Sequence, residues 1–223
     1  MNGPKRYSPA LIRSANMTTI TAHSACEGTA PNSREHILAA IGSGSEMIEF
    51  DVRMAEGKLL LSHDVPEDPS SCVTLRECFS LIAPEENLHM NVDVKTEGLL
   101  EPVMTLAKEF SLENRIIFTG ACNDDRALAL SLGSDVWRSM WPGQEIEDGI
   151  AANKKDGSPF LNVAYCMITE ENNQALLENG FGFSAWTVDK EYFLRLFLRM
   201  GISNITTRNP VRAMELRKEI QGI

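Results

Sequence analysis

Histidine is scarce in this chain, with four in 223 residues, and no apolar run approaches the length of a membrane-spanning helix, which takes about 20 consecutive residues. The segment from Met1 to Met17 carries Lys5, Arg6 and Arg13 but lacks the apolar core of a secretory signal, so the chain is expected to be soluble and cytoplasmic. The five cysteines (Cys26, Cys72, Cys78, Cys122 and Cys166) are odd in number and scattered, and none forms a C-x-x-C pair. That spacing argues against a zinc cluster or a redox disulfide and fits reduced thiols. Basic residues are few, 21 against 31 acidic, and the formal net charge of −10 argues against nucleic acid or an anionic membrane as a long-range partner. No internal repeat, low-complexity tract or linker divides the sequence, and no glycine-rich loop follows the first strand candidate, where a doubly wound nucleotide-binding fold usually puts one.

What is present is enough apolar sequence for one sizeable core, 43% of residues, in a pattern of short β-branched or apolar runs alternating with longer helical ones. Such alternation marks parallel βα units. Eight main strands are predicted, at 18–22, 47–52, 88–94, 115–118, 135–138, 160–163, 182–187 and 203–206, with a short extra one at 59–62. Ser33, Thr74 and Thr169 stand where N-caps belong, ahead of helices at 34–42, 75–82 and 170–178. Further helices are predicted over 99–110, 124–131, 145–153, 190–200 and 210–220. Eight strands and eight helices predict a single-domain (β/α)8 TIM barrel over residues 17–223, preceded by an N-terminal extension at 1–16.

In such a barrel the reactive groups collect at the C-terminal ends of the strands and in the loops that follow. His23 directly follows the first strand. Glu49 and Asp51 lie two apart in the second, so both carboxylates face the same side, which in a barrel is the interior or mouth. Asp93 and Lys95 repeat that spacing in the third main strand, within Asn91-Val92-Asp93-Val94-Lys95. Neighbouring strands are roughly 5 Å apart, so Asp93 can share one cation with Glu49 and Asp51. Hard oxygen ligands without thiolate or imidazole spacing suit Mg²⁺ or Ca²⁺, with Mn²⁺ as a further candidate. The competing reading is internal pairing, Glu49 and Asp51 with Arg53 or Lys95 and Asp93 with Lys95. His63-Asp64 follows Leu59-Leu60-Leu61-Ser62 and starts a loop over the barrel mouth, where a histidine can shuttle a proton. His36 and His89 fall in a helix and at a strand start and read as structural.

Taken in order, these residues resemble the glycerophosphodiester phosphodiesterase family over about Thr19 to Pro210. Its His-Arg-Gly, Pro-Glu-Asn-Thr, Glu-x-Asp, His-Asp and Glu-x-Lys motifs correspond to His23-Ser24-Ala25, Pro31-Asn32-Ser33, Glu49-Phe50-Asp51, His63-Asp64 and Asp93-Val94-Lys95. Near the C-terminus its Trp-Thr-Val and its Ile-Thr near a proline correspond to Trp186-Thr187-Val188 and to Ile205-Thr206 ahead of Pro210. Three departures stand out: Ser24 replaces the phosphate-binding arginine, Ala25 replaces glycine, and the glutamate of Pro-Glu-Asn-Thr is missing. The Asp-x-Lys-Thr form at 93–96 is also similar to sphingomyelinase D relatives on the same barrel, which lack the His-Asp pair. The segment between His63 and Asp93 is shorter than the cap insertion of many family members, which implies a more open site.

The resemblance implies a metal-dependent phosphodiesterase acting on a small glycerophosphodiester or sugar phosphodiester and releasing an alcohol and a phosphomonoester. It implies a divalent metal on Glu49, Asp51 and Asp93, with His23 and His63 as the acid and base. Lys95, with Arg53 or Arg138, would take more of the phosphate in the absence of an arginine at Ser24. Trp186 would pack on the organic part of the substrate, and Trp137 and Trp141 would wall the same mouth. An agrocinopine-type opine phosphodiesterase, a lysophospholipase D-like enzyme forming a cyclic phosphate, and a non-catalytic phosphodiester-binding barrel stand as alternatives. No stable membrane insertion is expected.

Overall fold

The computed structural model describes residues 17–158 and 160–222, so the N-terminal extension at 1–16 lies outside the described residues. Along the chain run β1 (Thr19–Ala22), α1 (Arg34–Ser43), β2 (Met47–Ala55), β3 (Lys58–Leu61), α2 (Leu75–Ile82), β4 (His89–Val94), α3 (Leu100–Glu109), β5 (Ile116–Gly120) and α4 (Arg126–Ser131). They are followed by β6 (Arg138–Met140), α5 (Ile146–Asp156), β7 (Phe160–Ala164), α6 (Glu170–Glu178), β8 (Gly182–Trp186), α7 (Glu191–Met200), β9 (Asn204–Thr207) and α8 (Pro210–Gln221). The three capping side chains act as the sequence predicts: Ser33 accepts from the His36 amide, Thr74 from Glu77 and Thr169 from Asn172.

Eight strands pair in parallel in the order β5-β4-β2-β1-β9-β8-β7-β6, and β3 is the extra strand, antiparallel on β2. The ring closes at its thinnest point. There a parallel bridge joins Phe118 to Val136, with the Phe118 amide donating to Asp135 O (3.0 Å) and the Trp137 amide to Phe118 O (2.9 Å). The architecture is a nearly closed (β/α)8 barrel.

Strand alternation sorts the side chains into two environments. Ile48, Phe50, Val52, Met90, Val92, Val94 and Phe118 face outward and form one buried cluster with the helices on their side of the barrel, and Ile20, Leu161, Val163, Phe183, Ala185 and Ile205 do the same on the other. The core is therefore the layer between sheet and helices. Inside, Met47, Ile117, Trp137 and Phe160 make an apolar plug at the N-terminal end, with the Trp137 and Phe160 rings 4.2 Å apart. Above the plug the interior is polar. Thr21 donates to Asn204 Oδ1 (2.8 Å), Asn204 Nδ2 to Ser184 Oγ (2.8 Å) and Thr119 to Asn91 Oδ1 (2.8 Å). Bonds that cross between strands in this way satisfy buried polar groups and leave a hydrophilic floor.

Two sequence expectations fail at β6 for one reason. The strand was expected over 135–138, which would bring Arg138 to the mouth, but its ladder with β7 begins at Arg138 and runs to Met140. Arg138 therefore lies low on the outer face and bonds Asn153 and Asp156 of α5, and Trp137 belongs to the plug. Ser139 reaches the cavity in their place.

Candidate active site

The C-terminal ends of the strands surround a cavity of about 520 Å³ whose lining includes His23, Glu49, Asp51, His63, Asp93, Lys95, Trp141, Trp186 and Arg208. Residues from 23 to 208 meet there because most are carried toward or just beyond the C-terminal end of a barrel strand, and His63 follows the extra strand β3 that folds back on β2. Position and charge then fix what each can do.

Glu49, Asp51 and Asp93 each offer one oxygen within 4.8 Å of the others. Lys95 Nζ bonds Asp51 Oδ1 (2.8 Å) and Asp93 Oδ2 (3.0 Å), so the two readings left open by the sequence coexist: the carboxylates cluster, and a lysine ties two of them. Burial, with Asp51 and Asp93 close by, raises the Glu49 carboxyl well above the ordinary carboxylate range. Burial likewise raises Asp93, against the pull of Lys95. For Lys95, burial opposes the charge, yet Asp93 and Asp51 hold its pKa above the usual lysine value. Three carboxylates thus face one ammonium.

Asn32, in the loop before α1, donates to Asp51 Oδ2 (2.7 Å) and accepts from the Asp51 amide (3.0 Å). It fixes the rotamer of Asp51. Glu49 Oε2 accepts from the Ser24 amide (2.9 Å). Asp93 Oδ1 is buried without a hydrogen-bond partner, and the neighbouring Gly120 has φ +90°; a Cβ there would stand 2.0 Å from that oxygen. An orphaned carboxylate oxygen beside two further carboxylates, with no thiolate or imidazole among them, fits a hard divalent cation.

His23 Nδ1 donates to Ser24 O (2.6 Å), which leaves Nε2 as the acceptor, 3.8 Å from Glu49 Oε2. Burial is the main cause that lowers the His23 pKa, and the Arg208 charge adds to it. Neutral imidazole is the form this environment favours. His63 is different, its side chain 66% exposed, with Nδ1 3.1 Å from Asp64 Oδ1. Its loop is held by Arg53, whose Nε donates to His63 O (2.8 Å).

Of the residues the sequence singled out, His23, Glu49, Asp51, His63, Asp93, Lys95, Trp141 and Trp186 line the cavity. Arg53 and Ser24 stand behind it, holding His63 and Glu49. His36 is buried in α1 and His89 half-buried at the start of β4, both away from the cavity. Sequence reasoning gave no role to Asn32, Asn91, Thr119, Ser139, Asn162 or Arg208. Strand parity carried a signal for two of them: Asn91 stands two before Asp93, and Asn162 interrupts the apolar run of β7.

No protein-family model and no curated protein matches the chain. Solved structures do match. A glycerophosphodiester phosphodiesterase from Parabacteroides distasonis superposes with TM-score 0.74 at 20% identity, covering 92% of this chain and 98% of its own. One from Thermotoga maritima gives 0.74 at 19%, covering 90% and 98%. A phosphodiesterase from Oleispira antarctica, in complex with the product sn-glycerol-3-phosphate, gives 0.71 at 15%, covering 91% and 97%. Nearly complete mutual coverage at TM-scores of 0.71 to 0.74 gives this chain the fold of the glycerophosphodiester phosphodiesterases.

Proposed function

We propose that the protein is a metal-dependent phosphodiesterase that cleaves a small glycerophosphodiester or sugar phosphodiester into an alcohol and a phosphomonoester. The observation that carries this reading is the convergence of two histidines, three clustered carboxylates and Lys95 on one cavity. Glu49, Asp51 and Asp93 would hold the divalent cation, Mg²⁺, Ca²⁺ or Mn²⁺. When bound, it supplies charge neutralisation to the phosphate and to the attacking or leaving oxygen.

The protein's own groups supply the proton transfers. His23 keeps Nδ1–H on the Ser24 carbonyl and so presents Nε2 to accept a proton from the nucleophilic hydroxyl. His63, with Nδ1 on Asp64 and its ring at the exposed mouth, gives a proton to the departing alcohol. Trp186 and Trp141 line the same cavity, which suits a substrate with an organic group on its alcohol side. The hydroxyl and amide side chains of the barrel interior suit a polar, water-soluble substrate.

The test is ³¹P NMR of the purified protein with Mg²⁺, Mn²⁺ or Ca²⁺ and, in parallel, glycerophosphocholine, glycerophosphoethanolamine, a sugar phosphodiester and lysophosphatidylcholine. Conversion of one of the first three to a phosphomonoester supports the reading. Conversion of the lysolipid alone redirects it to lysophospholipid cleavage, and four unchanged spectra overturn it.

A further inference from the structure

A cavity that takes a phosphodiester needs a cation free to meet a phosphoryl oxygen, and Lys95 is engaged with Asp51 and Asp93. Ser24, next to His23, adds no charge, and its amide is committed to Glu49. Apart from the histidines, the other basic side chain lining the cavity is Arg208.

Arg208 reaches this wall through strand register. β1 and β9 pair Ala22 with Thr207, and the His23 amide donates to Thr207 O (2.9 Å), so Arg208 stands opposite His23 across one interstrand gap, roughly 5 Å. The residue is held from several sides. Its amide donates to Asp189 Oδ1 (2.8 Å), its Nη1 to Asp189 Oδ2 (2.7 Å), and its carbonyl accepts from the Glu27 amide (2.8 Å). Asn209 Nδ2 ties the same loop to Asp189 O (3.0 Å). Nε and Nη2 have no hydrogen-bond partner among the described residues, and the side chain, which lines the cavity, is 47% exposed as a whole. A guanidinium anchored on one side and open on the other matches the paired-donor geometry that phosphoryl oxygens accept.

We infer that Arg208 is the phosphate-binding cation of this cavity, with Asp189 as its positioning residue. The inference rests on the phosphodiesterase reading and names the group that holds the anionic part of its substrate. The cation arrives on the loop after the last strand instead of the loop after the first, and meets the phosphate from the side of His23.

The experiment measures sn-glycerol 3-phosphate binding by calorimetry, with Mn²⁺ present, for the wild type, Arg208→Ala and Arg208→Gln, beside KM and kcat for any diester the wild type turns over. The glutamine variant keeps a donor for Asp189 and serves if the alanine variant fails to fold. Affinity should fall, and KM rise, about tenfold or more, while kcat changes less and the Mn²⁺ affinity stays within twofold. A wild-type protein that turns over a diester while both variants bind and react unchanged overturns the inference alone. Binding that depends on Arg208 in a protein without turnover overturns the hydrolase reading alone and keeps the inference. Absence of wild-type binding overturns the inference.

Discussion

Glu49 is the residue on which charge and burial collide: a nearly dry carboxyl facing two others, with its pKa raised by burial and by those neighbours. Neutralising it removes that repulsion, and a Gln side chain can still accept from the Ser24 amide. Without divalent cation, Glu49→Gln should therefore be at least as stable as the wild type. With cation at about 100 times its Kd, the wild type should gain about 2.7 kcal/mol that the variant lacks. Thermal melts with and without Mn²⁺ check this crossing, and a variant stabilised like the wild type would remove Glu49 from the cation site. Asn32 acts through Asp51, holding it by both a side-chain and a backbone bond. Asn32→Ala should weaken Mn²⁺ binding about 10- to 100-fold, by the usual cost of losing a group that orients a ligand. Calorimetric titration of the variant decides this. Ala25 sits at φ +70° in the tight turn after His23, a conformation that costs a residue with a Cβ about 1–2 kcal/mol and glycine little. Ala25→Gly should accordingly be neutral or stabilising by up to about 1 kcal/mol, read from urea midpoints.

At the scale of the element, the barrel's first and last pieces are fastened by one buried cation. Arg217 of α8 donates to Thr18 O (2.7 Å) and to both Glu46 oxygens (2.6 and 3.0 Å), and Glu46 in turn accepts from the Ile20 amide (3.0 Å). The last helix is thereby locked beneath β1. Removing Arg217 leaves the Thr18 carbonyl without its donor and Glu46, a quarter exposed and still bonded to the Ile20 amide, without its cation, at a cost of about 1–3 kcal/mol. Arg217→Ala should lower Tm by roughly 2–12 °C for a chain of this size. Calorimetry that finds a change within 2 °C would make α8 an ornament of the barrel. Element existence was legible from sequence because apolar runs and the caps at Ser33, Thr74 and Thr169 are local signals. The strand β6 starts three residues later than the sequence predicts because it is short and its place is set by pairing with β7 and the Phe118 bridge, which local sequence does not encode.

For the whole molecule, loss of stability in acid follows in part from histidines that burial keeps neutral, His36 and His89 as well as His23. Burial lowers His36 to about 4, and His89 to about 4 as well, from the ordinary value of 6.5. Between pH 6.5 and 4 the unfolded chain takes up protons that the folded chain refuses, so stability falls as pH falls, by up to about 1.4 kcal/mol per pH unit for each histidine. Glu49 works in the opposite sense, its folded form holding a proton to higher pH. Comparing the wild type with His36→Leu cancels that contribution. Neither ring nitrogen of His36 has a partner, so the leucine leaves no orphan. Urea unfolding at pH 7, 6 and 5 should give a flatter decline for the variant; parallel declines would show that His36 titrates freely in the folded protein.

The sequence by itself determined the alternation of strands and helices, the parity that puts Glu49 and Asp51 on one face, and the end-of-strand positions of His23 and Asp93. These are properties of neighbours two to four residues apart, where backbone geometry dictates which way a side chain points. Tertiary structure decided the rest: that Arg138 faces a helix, that Asn32 clasps Asp51, that Arg53 holds the His63 loop, and that Arg208 comes to stand beside His23. Each of those depends on which strands lie side by side and in what register, a choice made by closing the barrel over its layer of apolar side chains and visible in no local stretch of the chain.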